Sequence, residues 1–317
     1  MPKGLITQTA VVLFEKQVTI DDLTPLLGNF SLVGEMPSAE HWEFGGPSVT
    51  ISYRPEVNGY ATVDVVEQSW PDGMGDPKNE VTLFGAWSMG WFGPYTFPWS
   101  LKRAVQQAWS WPGAAETVGR HQAFVRVRTS YIFGADKEAK VLPQDYVSLP
   151  ELAFVTSLAE AVLAHPDALC YFNPNGEALF TQDALRDSQA FAALHALPPL
   201  DTYANVRLFN IDPTWLLMDT VGNWQLDMPD HEMAFPRDFC QPQEVGQWLR
   251  NASLYVFNAG DQVIKDGDTM EGPGDRRWQA RAFKNGLCTP PREVLRWLPC
   301  DVAAIPAFLT EEKSEEA

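Results

Sequence analysis

Nine large aromatic rings crowd into residues 84–111, and a stable fold has to bury most of that surface. They are Phe84, Trp87, Trp91, Phe92, Tyr95, Phe97, Trp99, Trp109 and Trp111, with Gly85, Gly90, Gly93, Pro94 and Pro98 set among them. Breakers at that density argue against a regular helix or strand over the front of the stretch. Buried, the rings fill a core beneath a long loop. Exposed, they would anchor a partner, as aromatic residues do at interface hot spots. Burial is the expected state, because ring patches left in water promote aggregation. On the exposed reading the binding residues are Trp87, Trp91, Phe92, Tyr95 and Trp99.

The rest of the chain has material to cover them. Its 317 residues are 45% hydrophobic and 20% charged, a globular composition long enough for one large domain or two. Lys and Arg number 23 against 41 Asp and Glu, a formal net charge of -18. Phosphate backbones and anionic membranes need cationic contacts, so neither nucleic acid nor membrane is an expected partner. A basic protein would be drawn in, although high charge also serves solubility alone. The start of the chain shows no charged and then apolar leader, and no stretch is apolar enough to span a bilayer. Cys170, Cys240, Cys288 and Cys300 are scattered without a CxxC pair, which suits reduced core thiols of a cytoplasmic protein.

Periodicity predicts both element types. Residues 10–14 read as a buried strand, and Thr19 with Asp22 reads as a helix start whose apolar face is Leu23, Leu26 and Leu27, closed by Gly28 and made short or bent by Pro25 inside it. Alternation over 49–53 and 61–65 around Asn58-Gly59 predicts a hairpin. Ser100 is placed as the cap of a helix carrying Leu101, Val105 and Trp109. Strand 121–131 turns Ala123, Val125 and Val127 inward and Arg126 and Arg128 outward. Ser148 and Glu151 form a predicted capping box for the strongest helix, with Leu152, Val155, Leu158 and Val162 as its stripe. A strand at 168–172, a helix from Thr181, strands at 204–211 and 215–221, a helix over 243–259 and a strand at 278–283 follow. A last helix after Pro290-Pro291 carries Val294, Leu295 and Leu298.

Few residues suggest chemistry. The five histidines, His41, His121, His165, His195 and His231, show no HxxxH or HxH spacing, and no nucleophile elbow or phosphate loop is present. No cofactor or metal is expected. Asp266 and Asp268, in Ile264-Lys-Asp-Gly-Asp-Thr-Met-Glu271, offer oxygen ligands, but the EF-hand pattern is incomplete and Asp-Gly suits a tight turn. His121, Arg126 and Arg128 form another candidate: two arginines on one face would hold a carboxylate or phosphate, unless nearby acids pair with them first.

The C-terminal part resembles a known family. Val206-Arg-Leu-Phe209, Asp219-Thr-Val-Gly222, Glu244-Val245, Trp248-Leu-Arg-Asn251 and Ile264-Lys-Asp-Gly-Asp-Thr269 are similar to the bacterial domain-of-unknown-function family 4261. The resemblance implies a cytoplasmic α+β domain and no established activity, and it transfers no functional residue. Asn223-Trp-Gln225 departs from the expected apolar and glycine run. The expected architecture is α+β, with antiparallel or mixed sheets packed by helices in two interlocked subdomains, 1–145 and 146–309, and a disordered acidic tail over 310–317. The expected function is non-catalytic binding of a protein partner, with an immunity or accessory role near a secretion or toxin system. The alternative is a hydrolase with a dispersed site using His121 as base. A homo-oligomer is a third possibility, and the oligomeric state is left open.

Overall fold

Runs of β-branched and aromatic residues fold as strands wherever a second surface covers them, and here two sheets result. The computed structural model describes residues 3–37, 43–135, 139–260 and 262–311. The chain divides into two units, Met1–Tyr203 and Ala204–Ala317. The expected boundary at 145/146 falls inside the first unit, because the helix that follows it packs on the first sheet. His41 and the tail from residue 312 lie outside the described residues.

The first unit holds strands β1 (Gln8–Phe14), β2 (Leu32–Met36), β3 (Ser48–Arg54), β4 (Gly59–Val66), β5 (Ala123–Ser130), β6 (Ala168–Asn173) and β7 (Ala178–Phe180). They form one antiparallel sheet in the order β2-β3-β4-β5-β1-β6-β7. Its helices are α1 (Ile20–Leu23), α2 (Val81–Ser88), α3 (Ser100–Gln106), α4 (Ala114–Val118), α5 (Ser148–Leu163), α6 (Gln182–Leu194) and α7 (Leu200–Tyr203). Both faces of the sheet are covered. Val12, Val63, Val125 and Val127 pack under Val155, Leu158 and Val162 of α5. Val11, Leu13, Phe124 and Phe172 pack under Trp70 and, from the aromatic stretch, Trp87 and Phe92.

The hairpin and the first cap appear as the pattern predicts. Asn58 takes the left-handed conformation at φ +59 and donates from Nδ2 to the Tyr131 carbonyl at 2.7 Å. At α1, the Thr19 hydroxyl accepts from the Asp22 N–H and the Asp22 carboxylate accepts from the Thr19 N–H. Thr19→Ala is expected to cost about 1 kcal/mol in a urea titration, as loss of such a cap does. The helix ends before Pro25 rather than at Gly28, since proline removes a donor the next turn would need.

Four local expectations give way to packing. Residues 81–88 are helical, because Gly85 is tolerated and the positive-φ glycines, Gly90 and Gly93, come only after the last turn. Ser100 does not cap α3; Asp72 accepts from the N–H groups of Leu101 and Lys102 instead, and Trp109 lies beyond the helix, exposed. Ser148 and Glu151 make no capping box. Glu151 is buried and accepts from the Thr7 hydroxyl at 2.7 Å and the Tyr146 hydroxyl at 2.6 Å. Burial raises its carboxyl above the ordinary range, an effect these hydrogen bonds partly offset.

The second unit holds β8 (Asn205–Asn210), β9 (Trp215–Val221), β10 (Asp230–Pro236), β11 (Thr269–Gly272), β12 (Arg276–Phe283) and β13 (Val294–Pro299), with helices α8 (Pro242–Ala259) and α9 (Ala307–Thr310). The sheet order is β11-β12-β13-β10-β9-β8, mixed because β10 and β13 run parallel. The expected helix at 294–298 is therefore a strand. It sits between β10 and β12 with both faces buried, so its apolar residues carry no clean alternation. Val245, Leu249, Ala252 and Val256 form the buried stripe of α8, which packs on this sheet. The fold is thus α+β, with one antiparallel and one mixed sheet packed by helices. All four cysteines are free; Cys170 and Cys240 are buried, while Cys288 is half-buried and Cys300 exposed, so the last is no core thiol.

Candidate functional site

Two of the sequence-predicted groups meet on one face of the first sheet. Asp64 of β4 stands directly opposite Arg126 of β5, and Thr62 stands opposite Arg128. Arg126 and Arg128 do not face solvent. They point into the layer beneath the aromatic stretch, where both are buried. Alternation correctly sends them to the face opposite Val125 and Val127, but that face is covered too.

Arg126 is fully engaged. Its Nε and Nη2 donate to Asp64 at 3.2 and 2.6 Å, Nη2 also to the Phe44 carbonyl at 2.8 Å, and Nη1 to the Trp91 carbonyl at 3.2 Å. Arg128 reaches the same carboxylate through Nη2 at 3.1 Å. The Trp91 ring lies 4.5 Å from the Arg128 guanidinium and 5.5 Å from that of Arg126, both within cation–π range. Burial alone would raise the Asp64 carboxyl, but the two guanidiniums outweigh it and hold the group below the ordinary carboxylate range. Burial and then the like charge of Arg126 pull the Arg128 guanidinium down to about 9, which leaves it charged at neutral pH.

The rings around this cluster are mostly core. Phe92 is fully buried, 4.5 Å from Trp87 and edge-on to Trp70 at 5.3 Å, and Trp87 and Tyr95 are buried beside it. Gly93 lets the backbone fold tightly over β1. At φ +148, a Cβ there would fall 2.3 Å from the Thr96 hydroxyl and 2.7 Å from the Asn175 side chain. Asn175 in turn accepts from the Thr96 hydroxyl at 2.9 Å. Trp99 differs from these rings: it is 54% exposed, with the Lys102 ammonium 5.5 Å above it.

His121 lies at the margin, away from the arginines' hydrogen bonds. Its Nε2 accepts from the Trp70 N–H at 3.0 Å, which places the ring proton on Nδ1, 2.5 Å from the Val118 carbonyl. Burial lowers its pKa below the ordinary value. The sequence pattern does not single out Asp64, Thr9 or Thr62. The one signal for Asp64 is an acid at an alternate strand position among valines, and its match to Arg126 is visible only in register.

Asp266 and Asp268 belong to the other unit and tie a turn. Asp266 accepts from the Ala282 N–H at 2.9 Å and from Arg281, Asp268 accepts from the Lys265 N–H at 2.8 Å, and Gly267 takes φ +88 between them. Among the described residues no group of three or more His, Cys, Asp or Glu side chains is arranged to hold a metal. Beneath this sheet runs a buried chain of charges. Arg207 and Arg292 share Asp219, Arg292 reaches on to Asp230, and Arg296 pairs with Glu232.

The family model described as Domain of unknown function (DUF4261) matches residues 219–298. The match runs from the middle of β9 into β13, so the C-terminal part of the chain resembles that family, and Asp219, Asp230, Glu232, Arg292 and Arg296 lie inside it. It is narrower than the last 120 or so residues expected from sequence, and it leaves out the aromatic stretch and β5. No curated protein and no solved structure matches the chain.

Proposed function

We propose that the chain is a cytoplasmic, non-catalytic binding protein whose partner is a basic protein. An immunity or accessory role beside a secreted bacterial effector is the setting such a protein would serve. The observation that carries this reading is where the charge sits. Among the described residues six cationic and six acidic side chains are buried, so the interior is neutral. The formal net charge of -18 therefore belongs to residues outside that interior, where it raises the encounter rate with a positive surface. Large apolar side chains in one segment, Val81, Met89, Trp99 and Trp109, are each more than half exposed and would supply lasting contact. His121 and Arg126, two of the residues a dispersed hydrolase would use, are spent on structural hydrogen bonds, and Arg128 is buried against the Asp64 carboxylate.

The test begins with tagged protein as bait in lysate of the native bacterium, washed at low and then high salt. The expected result is one stoichiometric basic protein, released at high salt. When purified, that protein should associate on the order of tenfold or more slowly as salt rises, and Trp99→Ala with Trp109→Ala should speed dissociation. A partner bound with salt-independent kinetics, or no partner in either wash, would overturn the reading.

A further inference from the structure

The charges around Asp64 do not balance. One buried carboxylate faces two buried guanidiniums, at 2.6 Å from Arg126 and 3.1 Å from Arg128. Arg126 uses all three of its nitrogens. Arg128 uses one; its Nε and Nη1 are buried and find no hydrogen-bond partner among the described residues. The strand register places Thr9 of β1 and Thr62 of β4 directly opposite Arg128, one on each side. Opposed residues of antiparallel strands project from the same face with Cβ atoms about 5 Å apart. Both threonine hydroxyls are likewise buried with no hydrogen-bond partner among the described residues. A row across three strands thus carries four uncommitted polar atoms over one surplus positive charge, roofed by the Trp91 ring. Each such atom destabilises the fold when left unmet, and more so when charged. That cost is removed if a ligand of opposite sign accepts from the guanidinium and the hydroxyls.

We propose that Arg128, Thr9 and Thr62 form a binding site for a small free oxyanion, a carboxylate, phosphate or sulfate group. The guanidinium supplies charge and donors, and the two hydroxyls flank it. Trp91 lies over the guanidinium and all three side chains are buried, which suits a small ion rather than a bulky one. The site does not depend on the basic-partner reading: the acidic exterior attracts cations, whereas this cluster takes an anion through a charge sealed beneath it. Inert salt screens the long-range repulsion between the exterior and an entering anion but barely touches the buried contact, so the site tolerates ionic strength that would strip an anion from surface lysines.

The full chain is titrated with sodium acetate, phosphate and sulfate at constant ionic strength, with chloride as the reference, by thermal shift and by calorimetry. At least one of the three is expected to raise the melting midpoint in a saturable way above chloride. Arg128→Met should abolish the effect. Thr62→Val and Thr9→Val keep the side-chain shape and suit a strand, and each should weaken binding about tenfold, as loss of one hydrogen bond to a charged group does. Should Arg128→Met fail to fold, the two valine variants decide the matter. No midpoint shift above chloride with any of the three anions, or wild-type affinity in both valine variants, would overturn the proposal.

Discussion

Replacing Asp219 with asparagine is expected to lower the unfolding free energy by about 3–5 kcal/mol, the cost of breaking a buried ion pair from one side. Asp219 accepts from Arg207 Nε at 2.9 Å, from Arg207 Nη2 at 2.5 Å and from Arg292 Nη2 at 2.6 Å, and all three side chains are buried. Asparagine has the right shape, but it leaves two guanidiniums against the single carboxylate of Asp230. It also turns an amide N–H toward donors that need an acceptor. Asp230 is already committed, to Arg292 at 3.1 Å, the Thr220 hydroxyl at 2.7 Å and the Asn223 N–H at 3.2 Å. The same change at Asp266, on an exposed turn, should cost less than about 1 kcal/mol. Urea titrations followed by tryptophan emission would compare the two. A loss at Asp219 no larger than at Asp266 would mean that Arg207 and Arg292 find another acceptor, and the network would then not be a structural requirement of this unit.

Buried polar pairs also mark where the sequence pattern is informative and where it stops. Alternation reports a strand reliably when one face is apolar, as at Val125 and Val127 or at Val63 and Val65. It reports orientation correctly as well, since Arg126 and Arg128 do lie on the opposite face. What it cannot report is that a second layer covers that face, because the cover comes from Trp70, Trp87 and Phe92, and the neutralising acid from Asp64, 62 residues upstream of Arg126. Strand β13 shows the same limit. Val294, Leu295 and Leu298 fit a helical spacing, yet the buried Arg296 between them is paired with Glu232 on the neighbouring parallel strand, a contact with no local signature. Glu151 satisfies the capping-box spacing but is drawn inward by Thr7 and Tyr146, since a long-range hydrogen-bond pair in the interior outweighs a cap in water. Short-range chemistry held where partners are short-range, at Thr19 and at Asn58.

Acidification from about pH 6.5 toward pH 4 is expected to remove about 3 kcal/mol of stability through His231. This side chain sits in β10, fully buried, and burial pushes its pKa from the ordinary 6.5 down to about 4. Its Nδ1 accepts from Trp297 Nε1 at 3.3 Å, so the neutral ring carries its proton on Nε2, which is buried and unpartnered among the described residues. A second proton would have to go onto Nδ1, facing the indole N–H that now donates to it. The unfolded chain takes up that proton near pH 6.5, whereas the folded chain resists it until about pH 4. Between those values the unfolded state holds more protons, so stability falls as pH falls, and the loss is complete once pH passes below the folded value. Glu151 and Asp230 act in the opposite sense, because burial raises both carboxyls and favours their protonated forms in the fold. The wild-type slope alone therefore mixes signs, and the difference from a His231→Gln variant isolates the histidine. That variant should lose less stability than wild type between pH 7 and pH 4.5. Equal losses in the two proteins, or an imidazole resonance of His231 titrating near 6.5 in the folded chain, would show that the ring reaches solvent and that the strand pair β10–β13 opens to admit it.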